Sequence, residues 1–275
     1  MPDIPIVFDD ADGYERFMGQ WSRAIGEKFL DWLAPPKQAR WLDVGCGTGA
    51  FCELIQRRCA PSSLAGVDPS AAQIAHAQKR IPNADLRVAD ALALPFADQS
   101  FDAVVTALVL HFLPDRDKAF AEMKRAAKSG AVIAGYVWNR DAANTYSPYA
   151  PMTQGFKTLG IEPTLSPKVP EQTPEGAKAT LEKAGFTDVS VTLIDATCGY
   201  ANFDEYWQVQ TLTFHPIGKG VAKLSDAERA RLRDIMRDIL TPQPDGSIRY
   251  SARAAAYQAR KGARRNRVVR ISPAW

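Results

Sequence analysis

Cysteine is scarce in this sequence. Cys46, Cys52, Cys59 and Cys198 are the four in 275 residues, and no CxxC pair occurs among them. That excludes a disulfide scaffold and the common zinc-ribbon spacing. Histidine is scarcer, with three residues, so no metal site is expected. No run approaches the roughly 18 consecutive apolar residues of a membrane span. The start, Met1-Pro2-Asp3-Ile4-Pro5 leading into Asp9-Asp10-Ala11-Asp12, lacks the basic and apolar regions of a secretory signal. An excess of one charge is also missing. Lys plus Arg number 34 against 31 Asp plus Glu, a net +3, too mild to demand nucleic acid or an anionic membrane as partner. The expectation is a cytoplasmic chain with reduced thiols.

What is present is a globular composition, 46% hydrophobic and 24% charged, in a chain of a length that suits one large domain or one with an appendage. Tyr14, Phe17, Met18, Trp21, Ile25, Phe29 and Leu33 recur at three- and four-residue steps, the apolar stripe of a helix that Pro35-Pro36 must end. Short apolar runs then alternate with helical patterns. Strands are expected at Trp41–Val44, Leu64–Val67, Leu86–Ala89, Phe101–Thr106 and Ala131–Val137. Helices are expected over Ala50–Arg58, over Ser70–Arg80 with Ser70 as N-cap, and over Arg116–Lys128 with Gly130 as the C-cap glycine. Strands spaced by helices imply right-handed crossovers and a parallel sheet covered on both faces. After Trp138 the rhythm breaks into the Pro-rich segment 139–174, which reads as an irregular lid. A helix from Pro174, strands Val189–Thr197 and Ile248–Tyr257, and short helices opened by Asn202 and Ser225 follow.

The chemistry concentrates in Leu42-Asp43-Val44-Gly45-Cys46-Gly47-Thr48-Gly49, between a strand and a helix. Glycines there let the chain turn sharply and let a ligand approach the backbone. Taken alone, Gly45-x-Gly47-x-x-Ala50 also fits a dinucleotide loop. Context separates the two. Asp68 ends the second strand, where a carboxylate accepts both ribose hydroxyls of a nucleoside in either reading. Asp43 would repel a pyrophosphate and suits an ammonium group. Asp90 closes the third strand. Three acids on three successive strand ends suit a nucleoside joined to an amino acid.

On these residues, with Gly66-Val67-Asp68-Pro69-Ser70, Leu94 to Asp102 and Leu108-Val109-Leu110-His111-Phe112-Leu113, the sequence resembles the class I S-adenosylmethionine-dependent methyltransferases, in the small-molecule branch with the D-V-G-C-G-T-G loop. The resemblance covers residues 38–137 well and the last strands loosely. It implies an α/β, Rossmann-like, doubly wound and mostly parallel seven-stranded sheet with an antiparallel last pair, plus a helical cap inserted late in the chain. It implies S-adenosylmethionine as cofactor, with Asp43, Gly45, Cys46 and Gly47 around its methionine part and Asp68 on the ribose. Pro69, Ser70 and Gln73 would lie along the adenine, Asp90 and Ala91 at the adenine amino edge, and Ala107, Leu108 and Val109 near the methyl group. The organisation expected is a helical lead-in (1–36), a cofactor-binding core (37–138), the lid (139–174), the end of the sheet (175–198 and 248–260), a helical insert capping the substrate (199–247) and a basic tail (261–275).

The expected function is methyl transfer to a small molecule by in-line displacement. Methylation of RNA or protein, and cofactor binding without catalysis, remain alternatives. No catalytic residue is assigned. His111 either acts as a base or packs its loop. His215 either meets substrate or is structural. Tyr200, Phe203, Tyr206, Trp207 and Phe214 either clamp a planar substrate or form the core of the insert. Arg140, Tyr146 and Tyr149 either read the substrate or are solvated. Lys261, Arg264, Arg265, Arg267 and Arg270 either touch an anion or are a solvated end.

Overall fold

The alternating pattern of the sequence becomes a single twisted sheet. The computed structural model describes residues 13, 15–140, 147–165, 167–213 and 215–262. Its strands are β1 (Arg40–Val44), β2 (Ser63–Asp68), β3 (Asp85–Val88), β4 (Phe101–Ala107), β5 (Ala127–Trp138), β6 (Thr187–Tyr200) and β7 (Ile248–Arg260). They lie in the order β3-β2-β1-β4-β5-β7-β6. The first five are parallel, and β7 runs antiparallel to both β5 and β6. This is the expected doubly wound sheet with an antiparallel last pair.

Helix α1 (Gln20–Leu33) shows why the stripe was readable. Trp21, Ile25, Phe29 and Leu33 are buried, each contributing roughly 1.5–3 kcal/mol by leaving water. A left-handed Ala34 (φ 44°) and the two prolines stop it. α1, α2 (Ala50–Cys59) and α3 (Ala71–Arg80) cover one face of the sheet, with Phe29, Phe51 and Ile74 in one core. α4 (Arg116–Ala126) covers the other through Phe120 and Met123. The Ser70 hydroxyl accepts from the Gln73 amide, so the expected N-cap is present.

Three expectations change. The lid segment contains α5 (Ala150–Leu159) and a 3-10 turn at Pro170–Gln172. Prolines are tolerated at a helix start, where the N–H would be orphaned anyway, and Pro151 sits there while Met152 and Phe156 bury inward. Gly130 is not a C-cap. Helix α4 ends at Ala126, and Gly130 (φ +75°) lies inside β5 where its pairing with β4 shifts register. After α6 (Pro174–Lys183) and α7 (Phe203–Gln210), the insert holds an unforeseen short helix, α8 (Pro216–Ala222), before α9 (Asp226–Ile239). His215 caps α8 through Nδ1, which accepts from the Gly218 amide.

The hairpin of β6 and β7 overhangs the sheet. Trp138, the last residue of β5, pairs with Ala254, while β7 continues out to Ile248 opposite Tyr200. The insert therefore hangs at the carboxyl ends of the parallel strands. Trp21 meets Trp138 and Tyr250 at 5.8 and 5.3 Å between centroids, joining α1 to that overhang. The lid is tied to the same end. The amides of Asn139 and Arg140 hold it there, Asn139 Nδ2 and Arg140 N both donating to the Gln172 carbonyl. The Glu171 carboxylate, 2% exposed, accepts from the Thr180 hydroxyl and faces Arg116 at 3.4 Å. Among the described residues no helix is long and apolar enough to cross a membrane.

One position at the sheet centre tolerates no side chain. A Cβ on Gly135 would fall 2.2 Å from the Thr106 carbonyl oxygen and 2.5 Å from the Tyr257 hydroxyl. Gly135→Ala is expected to lose about 1–3 kcal/mol by overpacking, read as a lower urea midpoint with an unchanged slope.

Candidate active site at the carboxyl ends of the strands

β1 delivers Asp43 into the interior, 1% exposed. Its Oδ2 accepts a hydrogen bond from the Cys52 thiol at 3.2 Å. Its Oδ1 is buried with no hydrogen-bond partner among the described residues. Burial pushes the carboxyl up to about 7, the Cys52 thiol opposes this, and the nearby Asp68 charge adds to it. An unmatched buried carboxylate oxygen costs free energy unless a donor arrives.

The glycine loop then curls over the end of β2. Gly45 and Cys46 both donate to the Val67 carbonyl, and Gly49 donates back to Cys46. Gly45 (φ +79°) admits the side chain of Val109, whose Cγ2 would lie 2.4 Å from any Cβ there. That contact brings the segment after β4 onto the loop. Leu108 turns that segment at φ +61°, with its amide on the Tyr136 carbonyl. Cys46 packs its sulfur against Gly66, the role of a small buried residue.

Asp68 organises the loop. Oδ2 accepts from the Gly47 amide at 3.0 Å and Oδ1 from the Ser70 amide at 2.9 Å. Burial pushes its carboxyl up, and those two amides oppose the shift. Asp43, Cys46, Gly47, Asp68 and Ser70 thus form one connected group. Gln73 lies beside it on α3, 1% exposed, with Oε1 unmatched among the described residues. Pro69 is exposed, Ala91 is buried and Ala107 is half-buried at the end of β4. Asp90 stands two residues beyond β3, exposed, accepting from the Leu92 amide.

A second group was not legible in the sequence. The Glu15 carboxylate accepts from the Thr48 hydroxyl at 3.1 Å and from Arg80 Nη1 at 3.2 Å, and pairs with Arg23. Burial pushes Glu15 up, but Arg80 and Arg23 outweigh it and hold the carboxyl below its usual value. This pins the π-helical turn Glu15–Gly19 against the glycine loop. Only the fold brings these residues together, so no local pattern announces them.

Past the carboxyl ends of β4 and β5 lies a cavity partly open to solvent. His111, Trp138, Arg140, Tyr149, Gln172 and Ile217 are among its walls. Burial and the Arg140 charge push the His111 imidazole down to about 3, so it is neutral at pH 7. Its Nδ1 is buried without a hydrogen-bond partner among the described residues. The lid therefore contributes Arg140 and Tyr149 to a concave site. Among the described residues, the insert aromatics Tyr200, Phe203, Tyr206 and Trp207 do not line it. Tyr200, Tyr206 and Trp207 are buried and Phe203 half-buried, and Tyr206 meets Tyr200 edge-on at 5.2 Å. Gln210 Nε2 donates to the hydroxyls of Tyr200 and Tyr250. They form the core of the insert. His215 stacks on Phe17 at 4.5 Å beside its capping bond, a structural role. Lys261 is tied to the sheet through the Ala127 carbonyl. Tyr14, Tyr146, Phe214, Arg264, Arg265, Arg267 and Arg270 lie outside the described residues. No group of His, Cys, Asp or Glu among the described residues is arranged to hold a metal.

Residues 42–135 match the protein family described as Methyltransferase domain. The demethylmenaquinone methyltransferase of Roseiflexus sp. (strain RS-1) is 30% identical over 178 residues, covering 58% of this chain and 73% of that protein. The 2-phytyl-1,4-naphtoquinone methyltransferase of Thermosynechococcus vestitus is 36% identical over 143 residues, 49% of this chain and 64% of that one. Among solved structures, a phosphoethanolamine N-methyltransferase of Haemonchus contortus, in complex with phosphomonomethylethanolamine and S-adenosylhomocysteine, superposes with a TM-score of 0.56. It is 18% identical and covers 94% of this chain and 58% of that one, a likeness of fold.

Proposed function

Because the chain belongs to the class I S-adenosylmethionine-dependent methyltransferases, we propose that the connected group at the ends of β1 and β2 holds S-adenosylmethionine and that the adjoining cavity takes the acceptor. The chain methylates small molecules and releases S-adenosylhomocysteine. One observation carries the assignment of the site: the buried, unmatched Oδ1 of Asp43 beside the loop. Its chemistry fits an ammonium donor, and the residues around it fit the rest of the cofactor. Asp43, with Gly45, Cys46 and Gly47, would take the methionine part. Asp68 would take the ribose hydroxyls. Pro69, Ser70 and Gln73 would flank the adenine, with Asp90 and Ala91 at its amino edge. Ala107 and Leu108 would line the side nearest the acceptor.

When bound, S-adenosylmethionine supplies a methyl group already activated on a sulfonium. The chain's task is to position and to dry the site. Lid and insert residues, Gln172 and Ile217 among them, wall part of the cavity. Tyr149 and Trp138 give it flat walls. A neutral His111 can accept a hydrogen bond from an acceptor O–H or N–H without adding a second positive charge beside Arg140. The helical insert 199–247 acts as a cap in this reading, and the segment 139–174 as its lid. The partner is a small molecule and not nucleic acid: at and just past the end of β4, Ala107-Leu108-Val109 are apolar where a flipped base would need polar contacts. The four free cysteines fit a cytoplasmic setting.

Release of S-adenosylhomocysteine from S-adenosylmethionine, measured across a panel of quinols, hydroxy acids, enol acids and amines, tests the reading. Turnover above the acceptor-free background with a small molecule is the expected result. Turnover with RNA or protein alone, or cofactor bound but never consumed, would contradict it.

A further inference from the structure

Asp43 and Cys52 meet in the interior, 1% and 0% exposed. β1 brings the carboxyl and the first turn of α2 brings the thiol, fixed there because Phe51, Leu54 and Ile55 of the same helix are buried in the core. The thiol donates to Asp43 Oδ2 at 3.2 Å, and among the described residues Oδ1 has no partner.

The neighbours do little else for this carboxyl. On β2, Gly66 lies opposite Asp43, and Asp68 adds a like charge. On β4, the uncharged Val105 lies opposite it. Cys46 approaches from the glycine loop, and its thiol together with burial pushes Cys52 well above its usual value, so Cys52 keeps its proton. Cys46 is raised as well: Cys52 lowers it, but burial and the charges of Asp43 and Asp68 outweigh that. Of the described groups that act on the Asp43 carboxyl, the Cys52 thiol alone favours its ionised form.

We propose that Cys52 is a positioning residue for the cofactor: its thiol fixes one oxygen of Asp43 and leaves the other to the ligand's ammonium. The proposal rests on the reading of Asp43 as the ammonium acceptor. A thiol is a weak donor. It satisfies Oδ2 without holding the carboxyl fully ionised, which matches a group poised at about 7. Without the thiol, the ionised form would face burial and the Asp68 charge unaided, and the carboxyl would hold its proton more tightly.

The test is S-adenosylhomocysteine affinity, measured calorimetrically on the full chain from about pH 6 to about pH 8.5, for wild type, Cys52→Ala and Cys52→Ser. Wild-type affinity is expected to rise with pH and level off near 7. In Cys52→Ala the profile should move up by ~0.5 pH unit or more, the size of one net hydrogen bond. Affinity at the acid end should then fall at least ~3-fold further than at the alkaline end. Cys52→Ser restores a donor and should keep the wild-type profile or move it down. Both variants lose the same buried sulfur, so a packing role alone would lower affinity equally at every pH and alike in both. Coincident wild-type and Cys52→Ala profiles, or a Cys52→Ser profile that follows Cys52→Ala, would overturn the proposal. A second measurement uses unliganded wild type. One S–H stretching band in its infrared spectrum should move to lower frequency as pH rises through about 7, when the carboxyl accepting that bond ionises. An S–H region unchanged across that range would also overturn the proposal. Wild-type protein that binds no S-adenosylhomocysteine at any pH would overturn the cofactor-site reading and this proposal with it, whereas a profile indifferent to Cys52 overturns the proposal alone.

Discussion

Asp43→Asn is expected to weaken S-adenosylhomocysteine binding by roughly 30-fold or more while making the unliganded protein more stable at pH 8. Both effects come from the same buried carboxyl. Removing one partner of a buried, hydrogen-bonded charge pair costs on the order of 2–5 kcal/mol of binding. The amide also places an N–H₂ or a neutral oxygen where an ammonium requires a charge. In the unliganded protein the carboxyl is poised near 7, well above its ordinary value of 3.8. The folded state then binds its proton more tightly than the unfolded state does. The stability this proton brings is fully present below about 4 and is lost as pH rises through about 7. The wild-type melting temperature should therefore fall across that window on account of Asp43, and Asp43→Asn should flatten the fall. Ligand binding runs the other way. A cationic ammonium selects the ionised carboxylate, so wild-type affinity should rise with pH up to about 7 and then level off. Calorimetry at pH 6 and pH 8 with paired melts checks all of this. An affinity independent of pH, or Asp43→Asn binding like wild type, would contradict it.

Asp68→Ala is expected to weaken S-adenosylhomocysteine roughly 10- to 150-fold, the span of a lost charged hydrogen bond at about 1.5–3 kcal/mol. Two things are lost together. The ribose loses its acceptor, and the amides of Gly47 and Ser70 lose the carboxylate that now fixes them. Asp68→Asn keeps one acceptor oxygen and should recover part of the affinity. Asp90→Ala gives the contrast. Asp90 is exposed and accepts a local hydrogen bond from the Leu92 amide, so its loss should cost less than tenfold. A larger loss at Asp90 than at Asp68 would reverse the proposed roles.

These residues were legible in the sequence because each sits at or just past the end of a strand. Asp43 precedes the glycines, Asp68 follows an apolar run, and Ser70 carries the side chain of an N-cap. Local rules suffice for all three. The lid was misread because its prolines suggested irregular chain. Pro151 and Pro170 instead sit at the first positions of α5 and the 3-10 turn, where proline is compatible with a helix. Gly130 was misread because a glycine after a basic helix end also fits a bulged strand. The contacts that complete the site were beyond local rules. Glu15 meets Arg80, 65 residues away, and Val109 fills the space above Gly45 only once β4 lies beside β1. The aromatic insert left two readings open because a core and a clamp need the same residue types. Burial of Tyr200, Tyr206 and Trp207 against each other and Gln210 decided between them.

The most direct test is a crystal structure of the protein with S-adenosylhomocysteine. The account predicts the ligand's ammonium on Asp43 Oδ1, its ribose hydroxyls on Asp68 and its adenine beside Gln73 and Ala91, with the cavity of His111 and Arg140 left open next to its sulfur. A ligand bound in that cavity instead, or bound away from Asp43 and Asp68, would contradict it.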